Sequence, residues 1–451
     1  MHLVIIGNGI TGVTAARYVR KHSEMQVTII SSESKYFFSR TALMYVYMGH
    51  MKWENIKPYE DWFWEKNKIE LMFANVTSID TDSKSIRIDD NSTVKYDKLV
   101  IATGSQTNKF GWRGQDLKGV QGLYSKQDLE MLEENTRHIH AAVIVGGGLI
   151  GIELGEMLHS RGIHVTFLVR EKLYWNSILP DQEAAMVSRH IIEYNMNLIL
   201  GVELKEILPD EKGRVRAVKT SKGEEIKCQF VGLTPGVHPN IDLVKNTKIE
   251  TVRGVLVNEY LETNIPDVYS AGDCAEIIST EGSKNKPALS TDKSAGKVEQ
   301  LWYTGKMQGE ILARNILGEK IKYSRGIWYN SAKFLDIEYQ TYGFVANSPR
   351  DREESFYWEH TSGKICLRLV YSSSDRAILG VNVFGMRLRH RLFESWIKEK
   401  RTVEYVLENL HMANFDPEFY KKYEHEILEK YNKENPGRNL ILRKKNLIGI
   451  F

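Results

Sequence analysis

The chain has 451 residues, 42% hydrophobic and 26% charged, enough for two or three ordinary globular domains. Its net charge of +3 is small for this length and argues against a nucleic-acid binder, and no apolar run approaches the roughly 20 residues that cross a bilayer. The three cysteines, Cys228, Cys274 and Cys366, stand far apart with no C-x-x-C pair, which argues against a local redox disulfide or a zinc knuckle, and no metal site is expected.

The apolar run Leu3–Ile6 predicts a buried parallel strand, so no signal peptide is expected and the cytoplasm is the default compartment. It breaks into Gly7, Gly9 and Gly12, spaced G-x-G-x-x-G, before a helical pattern over residues 13–20. The first glycine allows a tight turn, the second lets backbone approach a pyrophosphate, and the third lets helix and strand pack closely. The helix N-terminus then offers unpaired N–H groups to phosphates. A second strand follows at residues 27–30, and Glu33, 21 residues after Gly12, stands where an acid holds ribose hydroxyls.

The stretch 35–51 is aromatic with one central cation, Arg40, and residues 53–65 are again aromatic and contain a helix. The first would line a cofactor or pack as core, and the second would pack as core in preference to meeting a partner. Residues 69–96 alternate as a β-meander with turns at 80–84 and 89–92. Residues 96–104 form a buried strand ending in Ala102-Thr103-Gly104.

The opening feature then repeats. A strand over residues 141–145 leads into Gly146, Gly148 and Gly151, and a second strand follows at 165–169. Chance turns would have to reproduce strand, glycine spacing, helix and strand twice, about 140 residues apart. Here Val169 is apolar where an acid could stand, and Arg170 and Lys172 follow, which leans towards NADPH over NADH unless Arg170 merely pairs with Glu171. Residues 195–231 read as paired strands, 231–236 as a strand running into a loop, and 265–275 as a strand ending at Gly272-Asp273. Asp273 would bind a cofactor hydroxyl or cap a following helix, and residues 293–317 read as one long helix. From about residue 323, strands at 366–371 and 378–384 precede helices at 390–408 and 417–433, an α+β third domain. The basic, apolar tail 439–451 would touch anionic lipid, meet a partner, or pack back on its own or a sister subunit.

On these motifs, with I-A-T-G-S at 101–105, GGGLIGIE at 146–153 and YSAGDCA at 269–275, the chain resembles the pyridine nucleotide-disulfide oxidoreductase superfamily of two-dinucleotide-binding-domain flavoproteins. The resemblance runs over about residues 2–345 and is nearest the ferredoxin, rubredoxin and nitrite reductase type, to whose motifs residues 31–33, 39–43 and 336–343 are similar. It implies an α/β fold of two Rossmann-like units with β-meander excursions. An FAD-binding domain would occupy residues 1–112 and 256–322, an NAD(P)-binding domain 113–255, and a C-terminal α+β interface domain 323–451.

The resemblance also assigns residues. FAD would lie on Gly7, Asn8, Gly9, Ile10, Thr11 and Gly12, with Glu33, Arg40, Val76, Ala102, Thr103, Gly104, Gly272 and Asp273 around it. NADPH or NADH would lie on Gly146, Gly148, Leu149, Ile150 and Gly151, with Arg170 and Gly236. Glu153, Arg40 and Tyr45 would stand at the reacting centre, although a lysine is usual where Tyr45 stands. Disulfide-using members carry cysteines that are absent here, and Thr41 stands near the position of the single cysteine of coenzyme A disulfide reductases. The implied activity is hydride transfer from NAD(P)H to FAD, then electron transfer to a ferredoxin-like or other iron–sulfur protein. The alternatives are oxygen, a quinone, or service as a flavoprotein subunit of a larger or membrane-associated complex, peripheral to the inner face of the membrane. A homodimer is expected from the resemblance alone.

Overall fold

The computed structural model describes residues 1–278, 296–415 and 421–443. Two five-stranded sheets are built alike. In the first, the strand His2–Ile6 lies between Gln26–Ser31 and Lys98–Ile101, with Ile69–Phe73 and Val268–Ser270 at the edges, all parallel. In the second, Ala141–Val145 lies between His164–Val169 and Phe230–Leu233, with Asn197–Leu200 and Val120–Gln121 outside them, again all parallel. Strands buried on both faces read as continuous apolar runs, which is why these central strands stand out in the sequence.

Each sheet carries a three-stranded antiparallel excursion, at residues 76–95 and 204–227. The chain crosses between the two units twice, and the crossings pair as an antiparallel ribbon, Ser105–Thr107 with Val237–Pro239. The third unit is a five-stranded antiparallel sheet, ordered 329–334, 337–343, 378–384, 366–372, 353–359, backed by helices His390–Lys398, Val403–Glu408 and Glu424–Glu434. One hydrophobic cluster joins all three units: Phe38, Leu43 and Tyr47 from the first, Ile152 and Phe167 from the second, and Phe334, Tyr339 and Phe384 from the third.

Several local expectations change. Residues 69–73 do not open the meander. They add a parallel edge strand beside Gln26–Ser31, because half-buried alternation reads alike in both settings. The expected helix 390–408 is two helices. Lys400 takes a left-handed φ of 52°, and Thr402 caps a new start by accepting from the Tyr405 amide. No helix follows Asp273: Gly272, at φ 81°, closes a turn into the strand Ala275–Ile277, so Asp273 caps nothing. The helix expected over 293–317 is formed over Trp302–Ile316, residues 296–301 being extended or looped, and 293–295 lie outside the described residues. The aromatic stretch 53–65 holds two short helical turns, Trp53–Ile56 and Trp62–Lys66. Of the tail, Leu440 and Leu442 pack on the third unit and Arg443 pairs with Glu408 at 3.0 Å, while 444–451 lie outside the described residues. Among the described residues no helix is long and apolar enough to cross a membrane.

Candidate functional site

A cavity of about 2030 Å³ lies where the three units meet. One end is the first glycine turn. Gly7 has φ 113°, and a β-carbon there would lie 2.1 Å from the Ala102 carbonyl; one on Gly12 would lie 2.1 Å from the Gly7 carbonyl. A β-carbon on Gly9 would meet nothing within 4 Å, so that backbone faces open space in the cavity wall. The helix Ile10–His22 begins there with no side-chain cap, leaving its first N–H groups for an anion. Asn8 fixes the turn, donating to the Ser34 carbonyl at 2.7 Å and accepting from Ser31 Oγ at 3.0 Å.

The second turn repeats this geometry. Gly146 has φ 128° with its β-carbon position 2.7 Å from the Thr234 carbonyl, a β-carbon on Gly151 would lie 3.0 Å from the Gly146 carbonyl, and Gly148 again has nothing within 4 Å. The two turns thus share one division of labour: two glycines required by packing and one by an absent neighbour.

Of the expected residues, Ile10, Thr11, Val76, Ala102, Thr103, Gly104, Leu149, Ile150, Gly272, Glu33, Arg40, Tyr45, Glu153 and Asp273 all line the cavity. Gly12, Gly146, Gly148, Gly151, Arg170 and Gly236 do not; Gly236, at φ 100°, lies in the crossing ribbon beside Asn108. Glu33 is held in place at the cavity wall. Both its oxygens accept from Arg40, at 2.7 and 2.6 Å, and the Lys126 amide donates to it at 3.0 Å. Arg40 also donates to the Tyr124 carbonyl at 2.6 Å and lies over the Tyr124 ring.

Three residues that sequence reading missed surround Asp273. Ser105 Oγ and Tyr124 Oη donate to Asp273 Oδ2 at 3.1 and 3.3 Å, and Gln300 donates to Ser105 at 2.8 Å. They come from three separate segments, so no local pattern links them. Burial pushes the Asp273 carboxyl above its ordinary range against these donors.

Glu153 faces the cavity from the second turn of the helix Leu149–Ser160. Burial, then the charge of Glu156 one turn on, pushes its carboxyl up to about 8, so it holds a proton at neutral pH. Tyr45, where the resemblance places a cation, carries no positive charge to lower it; burial and then Glu156 and Glu153 raise the phenol in turn. No cysteine lines the cavity: all three are buried, and burial raises each thiol.

Arg170 is 71% exposed and pairs with Glu171 at 2.9 Å, the bland alternative read from the sequence. Glu171 is the acid at the second turn: a β-carbon on Gly147 would sit 3.7 Å from its Oε2. Val169 lies nearer still, its Cγ1 2.7 Å from the same β-carbon position.

The profile of the family described as pyridine nucleotide-disulphide oxidoreductase matches residues 1–309. The chain belongs to this family. It is 27% identical to the assimilatory nitrate reductase electron transfer subunit of Bacillus subtilis, over 88% of this chain and 49% of that protein. The chain therefore spans about half the length of that relative. It is 28% identical to the NADH-rubredoxin oxidoreductase of Clostridium acetobutylicum, over 87% of this chain and 94% of that one. The solved structure of an NAD-dependent persulfide reductase from A. fulgidus superposes with a TM-score of 0.81 at 22% identity, over 96% of this chain and 84% of the other, a likeness of fold. The family's two-unit α/β architecture is thus the architecture of this chain.

Proposed function

We propose that this chain is an FAD-dependent NAD(P)H oxidoreductase that passes electrons to an external acceptor, an iron–sulfur or other electron-transfer protein. The observation that carries this reading is a single cavity that joins the first glycine turn to the start of the helix after the second and holds no thiol. The residues fit the flavin: open space over Gly9, an uncapped helix start for the pyrophosphate, and half-buried Asp273 on the ribityl side. Bound FAD supplies the chemistry that accepts a hydride and releases electrons singly. The chain's own residues do the rest. Gly148 and the start of the helix Leu149–Ser160 receive the nicotinamide dinucleotide pyrophosphate, Glu171 takes its adenosine ribose, and Leu149 and Ile150 orient it. Glu153 holds an exchangeable proton at the cavity wall. With no cysteine in reach, thiol–disulfide exchange has no nucleophile here.

Glu171 at the turn favours NADH, reversing the lean that Arg170 gives from sequence. Purified protein should be yellow and bleach faster with NADH than with NADPH in stopped flow, and Glu171→Gln should narrow that ratio roughly tenfold. A chain that binds no FAD on reconstitution would sink the reading. The second reading, a subunit of a larger electron-transfer assembly, is favoured by the relative named as such. Removing residues 439–451 and measuring partner capture and membrane fractionation tests whether the tail serves it.

A further inference from the structure

The two glycine turns differ in how they close. At the first, a β-carbon on Gly12 would lie 2.1 Å from the Gly7 carbonyl; at the second, one on Gly151 would lie 3.0 Å from the Gly146 carbonyl. The extra space is taken by two hydroxyls, Tyr174 Oη and Thr234 Oγ1, 2.8 and 2.9 Å from the Gly151 β-carbon position. Thr234 donates inward to the Val145 carbonyl at 3.1 Å, whereas Tyr174 donates to the Gly148 carbonyl at 2.9 Å. The Gly148 carbonyl also accepts from the Gly151 and Ile152 amides at 3.1 and 3.2 Å, so its shortest bond is to the phenol. Tyr174 is 0% exposed and does not line the cavity. Burial, then the charge of Glu153, push its phenol up, so it keeps its proton and remains a donor.

The tyrosine is itself held from behind. Its amide donates to Ser188 Oγ at 2.9 Å, and Ser188 Oγ donates to the Ala184 carbonyl at 2.8 Å, both on the helix Asp181–Glu193. Its ring meets Phe167 edge-on, with centroids 5.3 Å apart. Trp175 follows with a left-handed φ of 61°, a conformation that a bulky residue adopts only under constraint. The two neighbours serve different partners. Tyr174 reaches the second glycine turn, and Trp175 packs on Phe334 and Tyr339 of the third unit, with centroids 6.0 and 5.3 Å apart.

A planar trans peptide carries its C=O and N–H in opposite directions. Fixing the Gly148 carbonyl therefore fixes the aim of the Leu149 N–H. That amide is the first of a helix with no side-chain cap, and Leu149 lines the cavity. We propose that Tyr174 is a positioning residue for the nicotinamide dinucleotide: its phenol, braced by Ser188, holds the Gly148–Leu149 peptide so that this N–H meets the pyrophosphate. The proposal rests on the reading of the second turn as the nicotinamide dinucleotide site, and adds a residue that acts on the ligand only through the backbone it holds.

The test compares the FAD-loaded full chain with its Tyr174→Phe variant, which keeps the ring and removes the hydroxyl. Adenosine diphosphate ribose carries the pyrophosphate without the nicotinamide, so equilibrium dialysis reads this contact with no hydride transfer. Tyr174→Phe should weaken its binding roughly fivefold, the effect of about one hydrogen bond. In stopped flow, the NADH concentration for half-maximal flavin reduction should rise by about the same factor, with the limiting rate within about twofold of the parent. N-benzyl-1,4-dihydronicotinamide, which has no phosphate, should reduce both proteins equally fast. Ser188→Ala, which withdraws the brace, should also weaken adenosine diphosphate ribose. Flavin content and thermal melting report folding of each variant. Adenosine diphosphate ribose binding that is unchanged in Tyr174→Phe, beside measurable binding by the parent, overturns the proposal. An equal loss of rate with the phosphate-free donor also overturns it, since Tyr174 would then serve the packing of the whole unit. A parent chain that binds no adenosine diphosphate ribose overturns the reading of the second turn, and the proposal with it, a result distinct from the other two.

Discussion

Gly9 and Gly12 are the same residue type three positions apart, yet they answer to different demands. Gly12 is fixed by protein atoms, since a methyl would lie 2.1 Å from the Gly7 carbonyl, and backbone cannot retreat cheaply. Gly9, at φ −70°, is in a conformation open to any residue and faces empty space. Gly12→Ala should therefore destabilise the apoprotein by about 1–3 kcal/mol through overpacking. Gly9→Ala should leave the apoprotein's melting temperature nearly unchanged and lower its affinity for FAD, because the added methyl enters the space over the helix start. Thermal melting of apoprotein and flavin titration separate the two. Full FAD affinity in Gly9→Ala would mean that this turn does not hold the pyrophosphate.

The helix Leu149–Ser160 links the second glycine turn to the cavity and carries two carboxyls on one face, Glu153 and Glu156. Glu156 accepts from the Leu335 amide at 2.7 Å, and its own carboxyl is raised, chiefly by burial. For Glu153 the folded state keeps a proton that the unfolded chain releases near pH 4.5. Stability conferred at low pH thus falls as pH rises from about 4.5 to about 8, since the native state binds more protons in that window. Glu153→Gln should flatten this slope and raise stability at pH 8 by about 4 kcal/mol, read from denaturant midpoints at pH 5 and 8. An unchanged slope would show that Glu153 titrates normally. Such elements also show how far sequence carries. The glycine turns, the central strands and the family were legible because each is a local pattern with a fixed period. Ile69–Phe73 was misplaced because an edge strand and a meander strand alternate alike, and the break at Lys400 was missed because a non-glycine left-handed residue leaves no pattern. The partners of Asp273 were invisible, because Ser105, Tyr124 and Gln300 meet only through the tertiary fold.

At the scale of the whole molecule, the proposed hydride transfer requires the second unit to be held at a fixed distance from the first, and the ribbon between them is only three residues a strand. The third unit supplies the missing hold through helix Asp181–Glu193. Glu183 is 0% exposed and takes Arg368 at 2.6 and 2.8 Å, with Gln182 and Ser355 also bonded to the guanidinium. Around this pair lie Arg189 with Glu359 and His190 with Asp336, so one helix face is latched along its length. A buried pair contributes little net stability against an apolar replacement, but breaking it strands a charge. Arg368→Met should therefore destabilise by about 3–5 kcal/mol, whereas Arg368→Met with Glu183→Leu should recover most of that loss. The pair also positions. In the double variant, stability returns but the directional bonds do not, so flavin reduction by NADH should stay slower than in the parent while FAD content is unchanged. Denaturant midpoints together with stopped-flow reduction separate these effects. Parent-like reduction in the double variant would show that the apolar cluster alone sets the distance between the units, and the latch would then be a matter of stability only.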